Sequence, residues 1–293
     1  MMPIQLTIFS IIIYVLESLI IIVQSGLTVA VLFREWVHFK RLSPVEMILI
    51  SLGVSHFCLQ WASMLYNFCV YTRPDEIFWT LSLIWDLSNS FSFWLTSLLA
   101  AFYCIKSSSI THPVFRWLRW KISKLVPWLI LGSLLISGVT VIPSAVRNNI
   151  QMEVITLDHS PRNSTLLARL KVSEQYFYKP LKMVGMAVPF LLFLVSIIVL
   201  IASLVQHWEQ MQQYNTSTSS MRAQSTALRS LTIFFILSTS YFLIVLLSII
   251  GNIFDKKTWF WFWEAVTYGV ICIHSTSMLL SSPTLKKALK IQC

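Results

Sequence analysis

The sequence predicts an all-α membrane protein, a bundle of seven transmembrane helices, and three observations lead there. Of 293 residues, 56% are hydrophobic and only 12% are charged, against about 25% charged in an average soluble domain. The mean hydropathy is +0.71. A helix needs about 20 apolar residues to cross a bilayer, and the chain contains several such stretches. A water-soluble globule, a disordered chain and a disulfide scaffold are therefore excluded.

Apolar periodicity divides the chain into seven stretches within one domain, 1–293. They lie at 6–33, 45–68, 81–106, 125–146, 180–205, 229–253 and 259–282. The fifth and sixth stretches are the most continuous. The third contains Asp86 and Asn89 together with several serines, so we expect hydropathy alone to miss it, which would give an even number of spans.

Charge placement predicts an outer N-terminus and an inner C-terminus. With that orientation, 13 of the 22 Lys and Arg residues lie inside and nine outside, six of them in the long connection before the fifth stretch or at the very start of that stretch. Long loops carry little topological information. Without that connection, the comparison is 13 inside against three outside. An odd number of spans agrees with this result.

A glycosylation acceptor supports the same orientation. Asn163 begins an Asn-Ser-Thr triplet in the long outer connection, where the modifying enzyme could reach it. Asn215 begins a second acceptor triplet, but the predicted orientation places it inside. We therefore expect a glycan on Asn163 alone.

Other classes of protein are disfavoured. The net charge of +10 would suggest nucleic acid for a soluble protein; here it predicts contact with membrane lipid, notably at the Trp- and Lys-rich segment 112–125. No nucleic-acid partner, metal or cofactor is expected. No enzyme motif such as HExxH, GxSxG or a P-loop is present. A membrane transporter or channel for a small polar solute is the alternative, although the paired helix breaks typical of transporters are not found.

Polar and aromatic side chains near the predicted outer ends of two helices indicate a small-molecule pocket. On the third helix, Asp86, Asn89 and Phe93 follow i, i+3, i+7 spacing, and Trp85 shares a face with Asn89 and Phe93. Trp94 lies one residue further on. On the seventh helix, Glu264 comes next to Trp263 and repeats the pattern with Thr267 and Tyr268. Carboxylates accept hydrogen bonds from hydroxyls, and ring faces pack against apolar ligand surfaces.

Structural interpretations compete with this one. Asp86 could pair with Arg73 or Lys182 at the rim of the bundle. Trp residues could form an aromatic belt at the membrane interface. The positions concerned are Trp94, Trp259, Trp261 and Trp263. Structural roles are also expected for the other ionisable residues in the spans, Glu17, His56 and His274.

Several segments resemble the type 2 bitter taste receptors, and the resemblance covers the whole chain. They are MILISLGVSHFCLQW at 47–61, AFYCIKSSSITHPVFRWLRWKI at 101–122, PRNST at 161–165, ALRSLTIFFILSTSYF at 227–242 and HSTSMLLSSPTLKKALK at 274–290. The last segment stands where rhodopsin-like receptors have NPxxY. The D/ERY triplet is also absent, and no Cys between 105 and 271 could form the usual disulfide to the second outer loop.

The resemblance implies a G-protein-coupled receptor of the plasma membrane. Its expected agonists are bitter small molecules, β-glucopyranosides in particular. Its expected partner is a heterotrimeric G protein of gustducin type, which signals through phospholipase C and calcium. The resemblance implies ligand contacts at Trp85, Asp86, Asn89, Phe93, Trp94, Phe242, Trp263 and Glu264.

Three positions depart from the family pattern. Asp86 replaces the longer Glu of the glucoside-sensing receptors. His56 stands where the family usually has an Arg that ties helices 1, 2 and 7 together. The segment 177–182, FYKPLK, replaces polar residues at the start of the fifth helix, so no ligand contact is carried over to it.

Overall fold

The computed structural model describes residues 4–40, 42–69, 76–107, 113–156, 168–169, 172–213, 232–247, 256–281 and 285. Seven long helices occur within these ranges. They are α1 (Ile4–Phe39), α2 (Pro44–Cys69), α3 (Glu76–Ser107), α4 (Pro113–Thr156), α5 (Lys179–Gln213), α6 (Thr232–Leu247) and α7 (Lys256–Ser281). We call the end of the bundle where α1 begins the predicted outer end, and the opposite end the predicted inner end.

Local sequence explains how the first connection is made. Lys40 ends α1 in the left-handed conformation, with φ of 49°, and its N–H donates to the Trp36 carbonyl at 2.7 Å. Ser43 then caps α2. The Glu46 N–H donates to Ser43 Oγ at 3.3 Å, and the Ser43 N–H donates to Glu46 Oε2 at 2.8 Å. This reciprocal capping box, with Pro44 at the first helical position, fixes where α2 starts.

The central helix of the bundle is α3. It contacts α2, α4 and α5, and Tyr241 of α6 hydrogen-bonds to it as well. Because neighbours surround it, α3 carries buried polar side chains without exposing them to lipid. These are Asp86, Ser88, Asn89, Ser90, Ser92, Thr96 and Ser97.

Hydropathy separates the helices accordingly. By length and composition, four helices in the described part of the chain could cross a membrane: α1, α2, α4 and α5. The described portion of α6 is apolar but shorter. The third helix is absent from the four, as expected from its polar residues, and so is α7.

Three apolar clusters fill the described part of the bundle, and the two larger ones lie at different depths. The cluster nearer the predicted outer end contains rings from α1, α3, α6 and α7, among them Tyr14, Phe93, Phe242 and Tyr268. The other cluster joins α1, α2, α3 and α4 through aliphatic residues such as Leu32, Leu52 and Leu95. The core at the predicted outer end therefore contains tyrosine hydroxyls as well as apolar rings.

Candidate ligand-binding site

Asp86 is buried on α3 and joins three helices. Ser144 of α4 donates its hydroxyl to Asp86 Oδ2 at 2.5 Å. Lys182 of α5 donates from Nζ to Asp86 Oδ1, also at 2.5 Å. Of the two cations considered as partners of Asp86, Lys182 forms the pair, and Arg73 lies outside the described residues. Both carboxylate oxygens are thus engaged by the protein.

The π-helical turn Glu174–Tyr178 directly precedes α5 and helps to position the Lys182 ammonium. Tyr178, one turn before Lys182, accepts a hydrogen bond from its Nζ at 3.0 Å. The same nitrogen lies 5.2 Å from the centre of the Trp85 ring and 5.3 Å from that of Tyr178. The Asp86 carboxylate, the Tyr178 hydroxyl and the Trp85 ring therefore stabilise this cation.

An aromatic layer lies on the inner side of Asp86. Asn89 accepts a hydrogen bond from the Tyr241 hydroxyl at 2.5 Å. The Tyr241 ring stacks on Phe93, with centroids 4.9 Å apart. Phe242 meets Phe93 edge to face at 6.1 Å and stacks on Phe190 at 3.6 Å. Rings from α3, α5 and α6 therefore form one surface beneath the polar residues.

Trp85 and Glu264 lie at two ends of a hydrogen-bonded chain. The Trp85 indole N–H donates to the Tyr268 hydroxyl at 3.0 Å, and Tyr268 donates to Ser63 Oγ at 2.5 Å. The Ser63 hydroxyl also contacts the Tyr14 hydroxyl at 3.0 Å. Asn67 of α2 completes the chain by donating to the Tyr14 hydroxyl at 3.1 Å and to Glu264 Oε2 at 3.3 Å. The chain joins α1, α2, α3 and α7.

The remaining tryptophans differ in their surroundings. Trp94 is half-buried, and its indole N–H has no hydrogen-bond partner among the described residues. Trp263 is half-buried, and its carbonyl accepts a hydrogen bond from Thr267. Trp259 is exposed, as an aromatic belt requires. Trp261 does not belong to such a belt, because it is only 9% exposed and packs against Tyr14 at 5.8 Å.

The polar residues around Asp86 enclose a small cavity. About 20 Å³ is open to the centre of a water-sized molecule, which is room for one or two waters and far less than the roughly 300 Å³ of a typical ligand pocket. The lining residues are Asp86, Asn89, Ser90, Thr140, Ser144, Lys182, Gly185 and Met186. An agonist that binds here has to separate groups that now contact each other.

Sequence reasoning missed Ser144 and Tyr241 as partners of the α3 residues. A signal for Ser144 was present, because Ser133, Ser137, Thr140 and Ser144 follow i, i+4, i+7, i+11 spacing and mark one polar face of α4. Tyr241 also carried a signal, because it is the tyrosine among the phenylalanines of α6 and a buried hydroxyl needs a partner. Within the described ranges, no group of three or more His, Cys, Asp or Glu side chains could hold a metal ion.

Comparison with known proteins identifies the family. The family model described as taste receptor protein (TAS2R) matches residues 1–293. Taste receptor type 2 member 16 of Rattus norvegicus is 64% identical over 292 residues, which are 100% of this chain and 98% of the rat protein. The Mus musculus protein of the same name is 62% identical over 292 residues, with the same coverage. The Homo sapiens protein is 55% identical over 295 residues, with 100% of both chains covered.

These matches confirm the resemblance found in the sequence and the predicted fold class. They also agree with a receptor rather than an enzyme. The chain therefore belongs to the type 2 taste receptors, the family of seven-helix membrane proteins that sense bitter compounds.

Proposed function

We propose that this chain is a plasma-membrane receptor for β-glucopyranosides that activates a heterotrimeric G protein of gustducin type, and through it phospholipase C and calcium release. The observation that carries the proposal is the arrangement on α3. Asp86 and Asn89 place oxygen acceptors in one small cavity, and Asn89 is joined through the Tyr241 hydroxyl to the packed rings of Phe93 and Phe242. A glucoside needs this combination, because it offers hydroxyls on its edge and an apolar face on its ring.

Ligand entry has a defined cost at this site. Ser144 and Lys182 each use one acceptor site on the two oxygens of Asp86, and further lone pairs remain. The cavity beside them has room for only one or two waters, so a sugar hydroxyl has to take the space of one of these two groups. Replacing Ser144 exchanges one neutral donor for another, whereas replacing Lys182 separates a buried ion pair. We infer that the first sugar hydroxyl takes the place of Ser144. The resulting shift between α3 and α4 is the movement that an agonist would transmit along the bundle.

The proposed orientation has the N-terminus outside and the C-terminus inside the cell. Its test is the glycosylation state, even though Asn163 and Asn215 lie outside the described residues. We expect a mobility shift on glycosidase treatment that disappears in Asn163→Gln and persists in Asn215→Gln. The reverse pattern would overturn the orientation and would place the candidate site on the cytoplasmic side.

The experiment for the function is a calcium assay in cells that express a taste-type G protein. Salicin and phenyl β-D-glucopyranoside should give concentration-dependent responses, and phenyl α-D-glucopyranoside serves as the matched anomer. Cells without the G protein should stay silent. Solute flux in those cells would favour the transporter or channel alternative, and no response to any β-glucoside would overturn the proposed agonist class.

Two variants test whether α3 lines the site. Asp86→Asn keeps the side-chain shape and removes the charge that strengthens a hydrogen bond from a sugar hydroxyl. At matched surface level we expect a loss of roughly 1.5–3 kcal/mol, or about 10- to 150-fold in potency, while Asp86→Glu retains the response. Trp94→Ala should also reduce potency, and Trp128→Ala, which removes a side chain that is 72% exposed, is its control. If Asp86→Asn and Trp94→Ala both leave β-glucoside potency intact, the pocket has to be sought between α5, α6 and α7.

A further inference from the structure

Arg147, near the predicted outer end of α4, is a cation with spare donors. Its guanidinium lies 4.5 Å from the centre of the Tyr178 ring. Nη2 donates to Asn148 Oδ1 at the long distance of 3.4 Å. The Nε–H group is buried and has no hydrogen-bond partner in the part of the chain that the structure describes. Because arginine keeps its proton in proteins, this group retains both its charge and its unused donors.

A second cation approaches the same ring. Lys182 Nζ is 5.3 Å from the centre of Tyr178, and two of its three N–H groups are directed to Asp86 and to the Tyr178 hydroxyl. Among the described residues the third N–H of the ammonium has no hydrogen-bond acceptor, so it can contact a ligand. Two cations and one carboxylate, Arg147, Lys182 and Asp86, therefore meet around Tyr178.

This imbalance favours an anion in a definite place. Two cations that share one aromatic ring repel each other, and a further negative charge between them lowers that repulsion. The guanidinium offers a planar fork that matches the two oxygens of a carboxylate. The corner also adjoins Asp86 through Lys182. A ligand carboxylate here would lie beside the acceptors proposed for sugar hydroxyls.

We propose that Arg147 and Lys182 form an anion subsite that takes the carboxylate of a glycosidic acid, so that β-glucuronides are agonists alongside neutral β-glucosides. In a glucuronide the C6 alcohol is replaced by a carboxylate, and the ring and its other hydroxyls are unchanged. The sugar ring can then keep its contacts with Asp86 and Asn89 while its C6 group reaches Arg147. The inference rests on the proposed function and names a second ligand class for the same site.

The experiment compares two agonists that differ only at C6, phenyl β-D-glucopyranoside and phenyl β-D-glucuronide. In the unmodified receptor the glucuronide should be the more potent by about tenfold, the gain expected of one charge-assisted hydrogen bond. Arg147→Gln should abolish that advantage and change glucoside potency by less than about threefold. Arg147→Lys, which keeps the charge and loses the planar fork, should retain part of it. Arg116→Gln, an exposed arginine at the other end of α4, is the matched control.

The outcomes separate this inference from the proposed function. A glucoside response without a glucuronide response would overturn the anion subsite and leave the function standing. An equal effect of Arg147→Gln on both agonists, at unchanged surface level, would make Arg147 a structural residue and would also overturn the subsite. Ligand binding to the purified receptor is measured separately, as a saturable rise in its melting temperature. If neither glycoside signals, an Arg147-dependent rise with the glucuronide alone supports the subsite, and no rise overturns it.

Discussion

The candidate site at the predicted outer end and a second cavity deeper in the bundle satisfy their polar groups in opposite ways. Around Asp86 the charged groups bond to one another. The second cavity, here called the His56 cavity, leaves about 30 Å³ open to the centre of a water-sized molecule. Its lining side chains carry no formal charge if His56 is neutral. They are Gln24, Ser25, Thr28, Leu49, Leu52, Gly53, His56, Ser275, Leu279 and Leu285.

Hydrogen bonding in the His56 cavity is incomplete. His56 Nδ1 contacts Ser275 Oγ at the long distance of 3.4 Å, and Gln24 donates from Nε2 to Thr276 at 2.8 Å. Gln24 Oε1 is buried and has no hydrogen-bond partner among the described residues. The two cavities therefore respond differently to an added polar group. A ligand that contacts Asp86 meets groups that are already bonded, although the Trp94 and Arg147 N–H groups near the same end have no partner among the described residues. A substitution in the His56 cavity can add a bond that is missing.

The largest expected effect comes from breaking the pair that defines the outer site. Lys182→Met leaves Asp86 buried without a counter-charge, and Asp86→Asn does the same to Lys182. Each should lower the free energy of unfolding by about 3–5 kcal/mol. The double variant should recover most of the loss, because it removes both charges. Thermal unfolding of the purified receptor measures this, with the exposed Lys121→Met as control. If the double variant instead loses the sum of the two single losses in free energy of unfolding, the ion pair is not the cause of either loss.

A smaller effect is expected where the outer site is bonded but uncharged. Tyr241→Phe removes the donor to Asn89 Oδ1, and Asn89 is only 2% exposed. A buried acceptor left without its donor costs about 1–3 kcal/mol. The melting temperature of the purified receptor should fall accordingly. The control is Tyr103→Phe, which changes an exposed tyrosine on the same helix as Asn89 and should leave the melting temperature nearly unchanged. If Asn89 accepts from the agonist, the variant also raises β-glucoside potency. Unchanged stability would mean that another donor reaches Asn89.

Much of the fold could be predicted because a bilayer imposes strong demands on composition. Apolar stretches have to be helical where water cannot satisfy the backbone, so they predict a helical bundle, although α3 and α7 fall short by hydropathy. Period 3.6 also groups Asp86, Asn89 and Phe93 on one face of α3, and the structure buries all three. The role of these residues in ligand binding remains a prediction.

The partners of that face could not be predicted, because they depend on how neighbouring helices rotate and slide. Periodicity grouped Glu264 with Tyr268, but α7 packs against α1 and engages both residues with Tyr14, Ser63 and Asn67. The same packing buries Trp261, which one alternative assigned to the lipid interface. Sequence periodicity identifies a face of a helix and leaves the helix it meets undetermined.

Two glycines allow the outer site and the His56 cavity to be compared under the same change. A Cβ on Gly185 would lie 3.0 Å from Thr140 Cγ2 in the outer site, and a Cβ on Gly53 would lie 3.0 Å from Val29 Cγ2 beside the His56 cavity. Overpacking costs about 1–3 kcal/mol, and the better helix propensity of alanine returns up to about 1 kcal/mol. We expect each Gly→Ala variant to lose about 0–2 kcal/mol net.

Removal of the opposing methyl group controls this comparison. Thr140→Ser should restore the stability of Gly185→Ala, and Val29→Ala should do so for Gly53→Ala. Gly138→Ala, where no atom lies within 4 Å of the new Cβ, should be neutral or stabilising. Recovery at Gly53 without recovery at Gly185 would show that the polar outer site is the less adaptable of the two.

The smallest effect is expected from His56→Arg, the change that fills the His56 cavity. An arginine brings five N–H donors to a cavity with a free acceptor on Gln24, and its longer side chain occupies space that His56 leaves open. A hydrogen bond to a charged donor contributes about 1.5–3 kcal/mol. The cavity has no carboxylate in its lining, however, so the desolvation of the guanidinium offsets most of that gain. We expect a net rise in the free energy of unfolding of about 1 kcal/mol or less, visible as higher surface expression or a larger maximal calcium signal.

His56→Gln is the control, because it keeps a polar side chain at position 56 without the charge or the length of arginine. A fall in both surface level and maximal signal with His56→Arg would show that this bundle has repacked around His56, and that its free acceptor on Gln24 belongs to a neutral interior.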